Sequence, residues 1–330
     1  MPVFLKSGAF APALFVFVLA LCAGCSKQTT PTGNAAASKS ADAPSDAQHA
    51  LNAKLGAYID CFNRVDLPVH TGAKHYTGSI DDAAAGPSGR ETRVAGPYDI
   101  SDVDMKACDA PVSAAAAGQP SLPALDAAAR EYHAALQALR PISHQVADYY
   151  ARQDDEDDQF AKGKQLHAPL MAALERYAEA SSAFGTELEA QNDAAHRETL
   201  KTLEREEGRT REYYRLSMML DAKQLTDVLQ EDQFDTARAN TLLDGFNRLS
   251  DEAHAKVADQ EPDKLKWNSF ETAAEDFRRQ AKARVKRVVD KTPYSRIEEG
   301  WLDSPSLAPE GSPRKLLNTY NALVSESNRQ

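Results

Sequence analysis

The sequence lacks the short motifs by which many enzymes are recognised. It has no G-x-G-x-x-G or Walker-type loop for a nucleotide, no H-E-x-x-H for a catalytic zinc ion and no G-x-S-x-G around a nucleophilic serine. Motifs therefore predict no catalytic residue, no metal and no cofactor. The net charge of −11 offers little basic surface to a phosphate backbone, so we expect no nucleic-acid partner.

Long apolar runs are scarce as well. The run at 9–21 is too short to span a bilayer comfortably but has the length of a signal-peptide core. It leads into Leu-Cys-Ala-Gly-Cys, where small residues precede Cys25 as in a lipobox, although Cys22 stands where that pattern usually has leucine. The sequence thus predicts a lipoprotein signal peptide at 1–24 and lipidation of Cys25. An ordinary secretory signal is the alternative.

The stretch that follows Cys25 contains almost no large apolar side chain. Its composition cannot bury enough surface to offset the entropy of ordering, so we predict a disordered tether over 25–50. An aspartate directly after Cys25 would resemble an inner-membrane retention signal, but this position is Ser26. We therefore expect the protein to be anchored in the outer membrane and to face the periplasm. Residues 51–330 are then predicted to form a single helical periplasmic domain.

Cysteines are few, and their count agrees with a secreted protein. Of the four, Cys22 leaves with the signal and Cys25 carries lipid, so Cys61 and Cys108 remain as an even pair in an oxidising compartment. We predict a disulfide between them. A zinc site made of both cysteines with His70 and His75 is an alternative, but its spacing is wide and irregular.

Apolar residues recur at helical spacing through most of the chain. The segment 63–120, rich in glycine and proline, is instead predicted to be loop-rich, with a small hairpin as an option. Pro141 is expected to kink or break one helix, and Ser312 to cap a terminal helix that starts at Pro313. We predict an all-α fold: an elongated multi-helix bundle with a loop-rich N-terminal segment closed by a disulfide. The first long stripe comprises Leu125, Ala129, Tyr132, Leu136, Leu139, Val146 and Tyr150.

Three charged patterns could carry chemistry. The acidic run 154–158 offers oxygen ligands for Ca²⁺ but departs from the EF-hand pattern, so acids near a helix start are the simpler interpretation. Asp193 with His196, and Asp251 with His254, have the spacing of ferritin-like metal ligands, which chance also explains. Basic residues crowd one C-terminal helix and could contact an anion or a partner, or simply balance acidic neighbours: Arg278, Arg279, Lys282, Arg284, Lys286 and Arg287.

Several segments together resemble the YiiG-like bacterial lipoproteins, a family whose domain has no known function. The segments are 58–63 (YIDCFN), 86–91 (GPSGRE), Tyr149-Tyr150, Asp157-Asp158, Lys162-Gly163-Lys164 and 320–324 (YNALV). The resemblance extends from about residue 51 to 328. It implies a lipoprotein of the cell envelope and implies no activity.

The expected function is therefore a lipid-anchored envelope protein with a non-enzymatic binding or scaffolding role. Its partners would be the membrane, through the lipid on Cys25, and another envelope protein or polymer. One alternative is a periplasmic enzyme acting on cell-wall or envelope polymer through acids such as Asp157 or Asp158. Another is a helical lipoprotein that binds a metal or a solute.

Overall fold

A computed structural model describes residues 46–329, and this part of the chain contains ten helices and no strand, which confirms the all-α prediction. The predicted signal peptide and Cys25 lie outside the described residues. The helices are α1 Asp46–Gly78, α2 Asp102–Ala117, α3 Pro123–Ala151, α4 Asp154–Asp158, α5 Ala161–Glu206, α6 Arg211–Gln230, α7 Thr236–Val257, α8 Lys264–Val289, α9 Arg296–Glu299 and α10 Pro313–Ser327.

The described chain divides into two compact units within the range predicted as one domain. Unit 1 is 46–192 and unit 2 is 193–329, so α5 contributes residues to both. Among the described helices, none is both long enough and apolar enough to cross a membrane.

In unit 1, α1 packs along α2, and the predicted disulfide between Cys61 and Cys108 joins them. The irregular segment is shorter than the sequence predicts, because α1 continues through Pro68 and α2 forms after the capping box of Ser101. The proposed hairpin is wrong, since 79–101 contains no strand. At its start, α1 includes the last five residues of the predicted tether.

Helix α3 shows why the stripe prediction succeeds. Every residue of the stripe predicted there is buried, and the helix runs without a break through Pro141. A proline in a helix costs one hydrogen bond and a steric clash, which packing of the neighbouring turns must offset. Aromatic rings from α1, α3 and α5 contact one another beside this stripe: Tyr58, Phe62, Tyr132, Tyr177 and Phe184.

Unit 1 also buries charged groups. The Lys54 ammonium lies 2.9 Å from the Asp126 carboxylate and donates to the carbonyls of Gly118 and Pro120. The Tyr58 hydroxyl donates to the same carboxylate at 2.7 Å. These bonds satisfy both ions, as a buried ion pair requires.

Unit 2 has a mainly apolar core formed by α6, α7, α8 and α10. Trp267 is only 1% exposed there, whereas Trp301, in the irregular segment before α10, is 42% exposed. Gly208, with φ of +76°, and the N-cap Thr210 separate α5 from α6. Helix α10 begins as predicted, with the Ser312 hydroxyl accepting from the Lys315 amide.

Candidate functional site

Four of the segments that carry the family resemblance come together in unit 1. We use the term motif cluster for 86–91, Tyr149-Tyr150, Asp157-Asp158 and 162–164. A β-carbon on Gly163 would lie 2.7 Å from the Tyr150 hydroxyl, and one on Gly89 would lie 3.6 Å from the Lys164 ammonium. Segments up to 78 positions apart in sequence therefore share one site.

The backbone of the cluster is strained around the short helix α4. The φ angles of Gln153, Gln159 and Phe160 are 61°, 55° and 64°, values that residues other than glycine rarely adopt. The Phe160 side chain is buried. Such strain persists only where the surrounding structure holds it, and it concentrates at ligand sites and switch regions.

Asp158 acts as a cap for α5. Its carboxylate accepts from the Tyr149 hydroxyl at 2.6 Å and from the Lys162 amide at 2.9 Å, and these bonds lower the pKa of Asp158. Burial and the adjacent carboxylate raise the pKa of Tyr149. The acidic run thus includes a helix cap, as the simpler interpretation predicts.

Beside the cap, the side chains of Tyr76 and His167 are hydrogen-bonded. The Tyr76 hydroxyl is 2.8 Å from Nδ1 of His167, and Nε2 of the same ring is 3.0 Å from the Ala83 carbonyl oxygen. Burial lowers the pKa of His167 and raises the pKa of Tyr76 to about 12. A neutral imidazole can serve both partners, because it donates from one nitrogen and accepts at the other. Gly86, with φ of +86°, allows the loop to approach this ring.

Loop 86–91 encloses a carboxylate of its own. Oε1 of Glu91 accepts from the Ser88 amide at 2.8 Å, and Oε2 accepts from the amides of Gly89 and Arg90 at 2.8 and 3.1 Å. Partial burial raises the pKa of Glu91, but the amide hydrogen bonds outweigh burial and hold it at about 2. Three successive backbone donors around one anion form a nest. Sequence reasoning identified the turn but missed the nest.

The basic residues predicted on α8 are mostly paired within unit 2. Their partners are Asp251 and Glu275 for Arg278, Asp276 for Arg279, Asp290 for Lys286 and Glu298 for Arg287. Arg284 is buried and donates to the carbonyls of Leu229 and Glu231, while Lys282 is exposed. The pairing favours the structural alternative, and an anion contact at this helix stays a prediction.

The two ferritin-like pairs do not converge on a common centre. Asp193 lies 2.7 Å from the Lys223 ammonium, and burial lowers the pKa of His196 to about 4. His254 is exposed and lies 3.4 Å from Glu271. Within 46–329, no group of three or more acidic, histidine or cysteine side chains has the geometry to hold a metal ion.

A serine, a histidine and an aspartate meet in unit 1: Ser181, His70 and Asp66. Of the three, sequence reasoning singled out only His70, as a ligand of the alternative zinc site. The Ser181 hydroxyl donates directly to the Asp66 carboxylate at 2.5 Å and lies 3.2 Å from Nε2 of His70. In a catalytic triad the histidine stands between the other two side chains. Here the serine proton points to the aspartate, so the contacts are those of a buried structural network. Ser181 on α5 is 111 or more positions from Asp66 and His70 on α1, so no local pattern brings the serine to them.

The described fold and the motif cluster define an all-α protein with a disulfide in its first unit and a loop that encloses its own carboxylate. The DUF3829 family, described as a protein of unknown function, matches residues 49–329, and the chain belongs to this family. The chain is similar to the uncharacterized protein YiiG of Escherichia coli strain K12, with 32% identity over 285 residues that cover 86% of this chain and 80% of that protein. These findings confirm the resemblance. No solved structure matches the chain.

Proposed function

We propose that this protein is a lipid-anchored protein of the cell envelope whose motif cluster binds a partner without catalysing a reaction. The observation that carries the proposal is the convergence of the segments of the motif cluster on one strained site of unit 1. Three residues other than glycine have left-handed backbone angles within eight positions there. Backbone strain of this kind is typical of a site shaped for a ligand.

The anchor in this proposal is Cys25, which follows an apolar segment and two small residues. Ser26 favours the outer membrane, with the helical units facing the periplasm. Among candidate partners are another envelope protein and an envelope polymer.

Two features of unit 1 weigh against the enzymatic alternative. The pKa of Asp158 is lowered by its hydrogen bonds, whereas a general acid at neutral pH needs a raised pKa. Ser181 is held by Asp66 instead of being activated by His70. Both side chains therefore have structural partners that account for their positions.

The anchor is tested by metabolic labelling with a palmitate analogue. We expect Cys25→Ala to lose the label and accumulate as precursor, and Cys22→Ala, the matched control, to keep it. Label retained on Cys25→Ala would remove the anchor from the proposal. Separation of inner and outer membranes then tests the predicted outer-membrane localisation. Ser26→Asp should move the protein towards the inner membrane.

Binding is tested with a photo-crosslinking amino acid placed at Lys162, which is exposed in the motif cluster. The matched control is the exposed Lys106 of α2, which lies outside the cluster. In intact cells we expect one dominant adduct from position 162 and none of the same mass from position 106. Identical adduct patterns at the two positions would contradict binding at the cluster.

A further inference from the structure

The nest in loop 86–91 has the chemistry of a ligand site. Backbone amides that converge on one point bind carboxylates and phosphates in many proteins, because each amide donates a hydrogen bond along a fixed direction. In this chain the anion in the nest is the side chain of Glu91, three positions or fewer from every donor. The carboxylate therefore occupies the position that an external oxyanion would take.

The donors of the nest are accessible. Gly89 and Arg90 are exposed, and Ser88 and Glu91 are half-buried, so exchange of one anion for another requires no opening of the core. The Gly89 amide donates to Oε2 of Glu91, and the φ of +88° at Gly89 is a conformation that a β-carbon would strain.

Two basic residues lie at this position. The Lys164 ammonium is next to Gly89, and the backbone amide of Arg90 is one of the donors of the nest. Neither side chain forms an ion pair with the residues that the structure describes, and both are exposed. Asp158, another acid of the motif cluster, is already engaged by Tyr149 and Lys162. Two cations are thus available to an incoming anion.

We propose that the nest of Ser88, Gly89 and Arg90 is a binding site for the oxyanion of a ligand, either a carboxylate or a phosphate, and that Glu91 fills it intramolecularly when the ligand is absent. The proposal rests on the binding role assigned above to the motif cluster. Because Glu91 is tethered to its nest, its effective concentration is high, and a ligand displaces it only by adding contacts to Lys164 and Arg90. A phosphate dianion meets that requirement better than a single carboxylate.

The test uses hydrogen exchange of the segment 86–93 in the mature protein, purified from membranes in detergent. In Glu91→Ala the nest is empty, so exchange of its amides should accelerate at least about ten-fold. Added inorganic phosphate should slow this exchange again, with a dissociation constant about ten-fold lower than for the native chain, where Glu91 competes. Repeating the measurement with acetate in place of phosphate shows whether the site binds a carboxylate or a phosphate.

The matched control is Asp81→Ala, which removes an exposed carboxylate three residues beyond helix α1 and outside the nest. Its response to phosphate should equal that of the native chain. Equal responses of the Glu91 and Asp81 variants, or no effect of phosphate and acetate on 86–93, would overturn the proposal. If Glu91→Ala fails to fold, Glu91→Gln removes the charge at nearly constant size, and the same outcomes decide. Failure here with Cys25 labelling and the adduct from position 162 intact would refute the oxyanion site alone.

Discussion

The two units are stabilised by different means. Unit 1 contains the disulfide and buries ionised side chains, such as Lys54 with Asp126, among tyrosines. Unit 2 has a core of leucine, methionine and aromatic side chains, and its arginines donate to backbone carbonyls, as Arg284 does to Leu229. Neither cysteine of the described chain lies in unit 2.

The difference has an energetic consequence. In unit 1 each buried polar group depends on a particular partner, and removal of one partner leaves a charge or a hydroxyl without compensation. In unit 2 the contribution of a side chain follows its apolar area, which neighbouring side chains can partly compensate. Substitution of the buried polar residues should therefore destabilise unit 1 more than substitution of single apolar residues destabilises unit 2.

The largest effect that separates the units should come from the disulfide. Cys61 and Cys108 are 47 positions apart, so the double variant Cys61→Ala/Cys108→Ala should lower the free energy of unfolding of unit 1 by about 4 kcal/mol in the loop-entropy model. Hydrogen exchange resolved along the chain should show faster opening at 46–192 and no change in α7 and α8. Equal acceleration of hydrogen exchange in both units would contradict the proposed difference in how they are stabilised.

The buried ion pair comes next. Lys54→Met should cost about 3 kcal/mol, because the Asp126 carboxylate stays buried without its cation. Urea unfolding measures the loss, and Lys54→Met/Asp126→Leu should recover most of it. The control is Lys201→Met on α5, which removes an exposed pair with Glu198 and should leave the urea midpoint unchanged.

Acid should act on unit 2 through two groups with opposite signs. Burial lowers the pKa of His196 from 6.5 to about 4, so the unfolded chain binds more protons in that window and stability falls as the pH drops. Burial raises the pKa of Asp221 from 3.8 to about 6, so the folded chain holds the extra proton there and stability rises as the pH drops. In the native protein the two contributions offset each other.

Substitution should separate the two contributions. Between pH 6.5 and 4, Asp221→Asn should lose about 2 kcal/mol, and His196→Gln should gain about as much, as measured by thermal unfolding at each pH. Asp244→Asn removes an exposed carboxylate of α7 and should follow the native profile. Parallel profiles for all three variants would show that neither buried group sets the acid response.

The smallest effects come from two glycines inside helices. Gly56 in α1 and Gly245 in α7 have open space where a β-carbon would stand, so alanine should stabilise each helix by about 1 kcal/mol. Exchange should slow at 46–192 for Gly56→Ala and at 193–329 for Gly245→Ala. Gly86→Ala should destabilise instead, because φ is +86° and the new β-carbon would lie 2.8 Å from the His167 ring.

Local patterns were sufficient to predict most of the helices, although α2 falls in the segment predicted to be loop-rich, and the cysteine count was sufficient to predict the disulfide. The stripe of α3 repeats with the period of a helix, the cap of α10 is a serine followed by proline, and Cys61 has one available partner. The extension of α1 beyond Pro68 was not predictable in this way. Proline signals a helix end locally, and only the burial of Val65 and Val69 on either side explains why the helix continues.

The candidate site was less accessible to sequence reasoning. Loop 86–91 was recognisable as a turn, but hydrogen bonds from three amides to Glu91 depend on backbone angles that no spacing specifies. The partners Lys54 and Asp126 are 72 positions apart, and each alone is typical of an exposed position. Contacts of this range arise only when the helices pack.

The placement of the two tryptophans lets fluorescence report on unit 2 and not on unit 1. Both indoles, Trp267 and Trp301, belong to unit 2, one in its dry interior and one in contact with water. Fluorescence excited at the indole band should therefore report the melting of unit 2 as a red shift from Trp267, over a constant background from Trp301. Unit 1 contains no tryptophan, so its melting has to be followed by tyrosine absorbance, circular dichroism or hydrogen exchange.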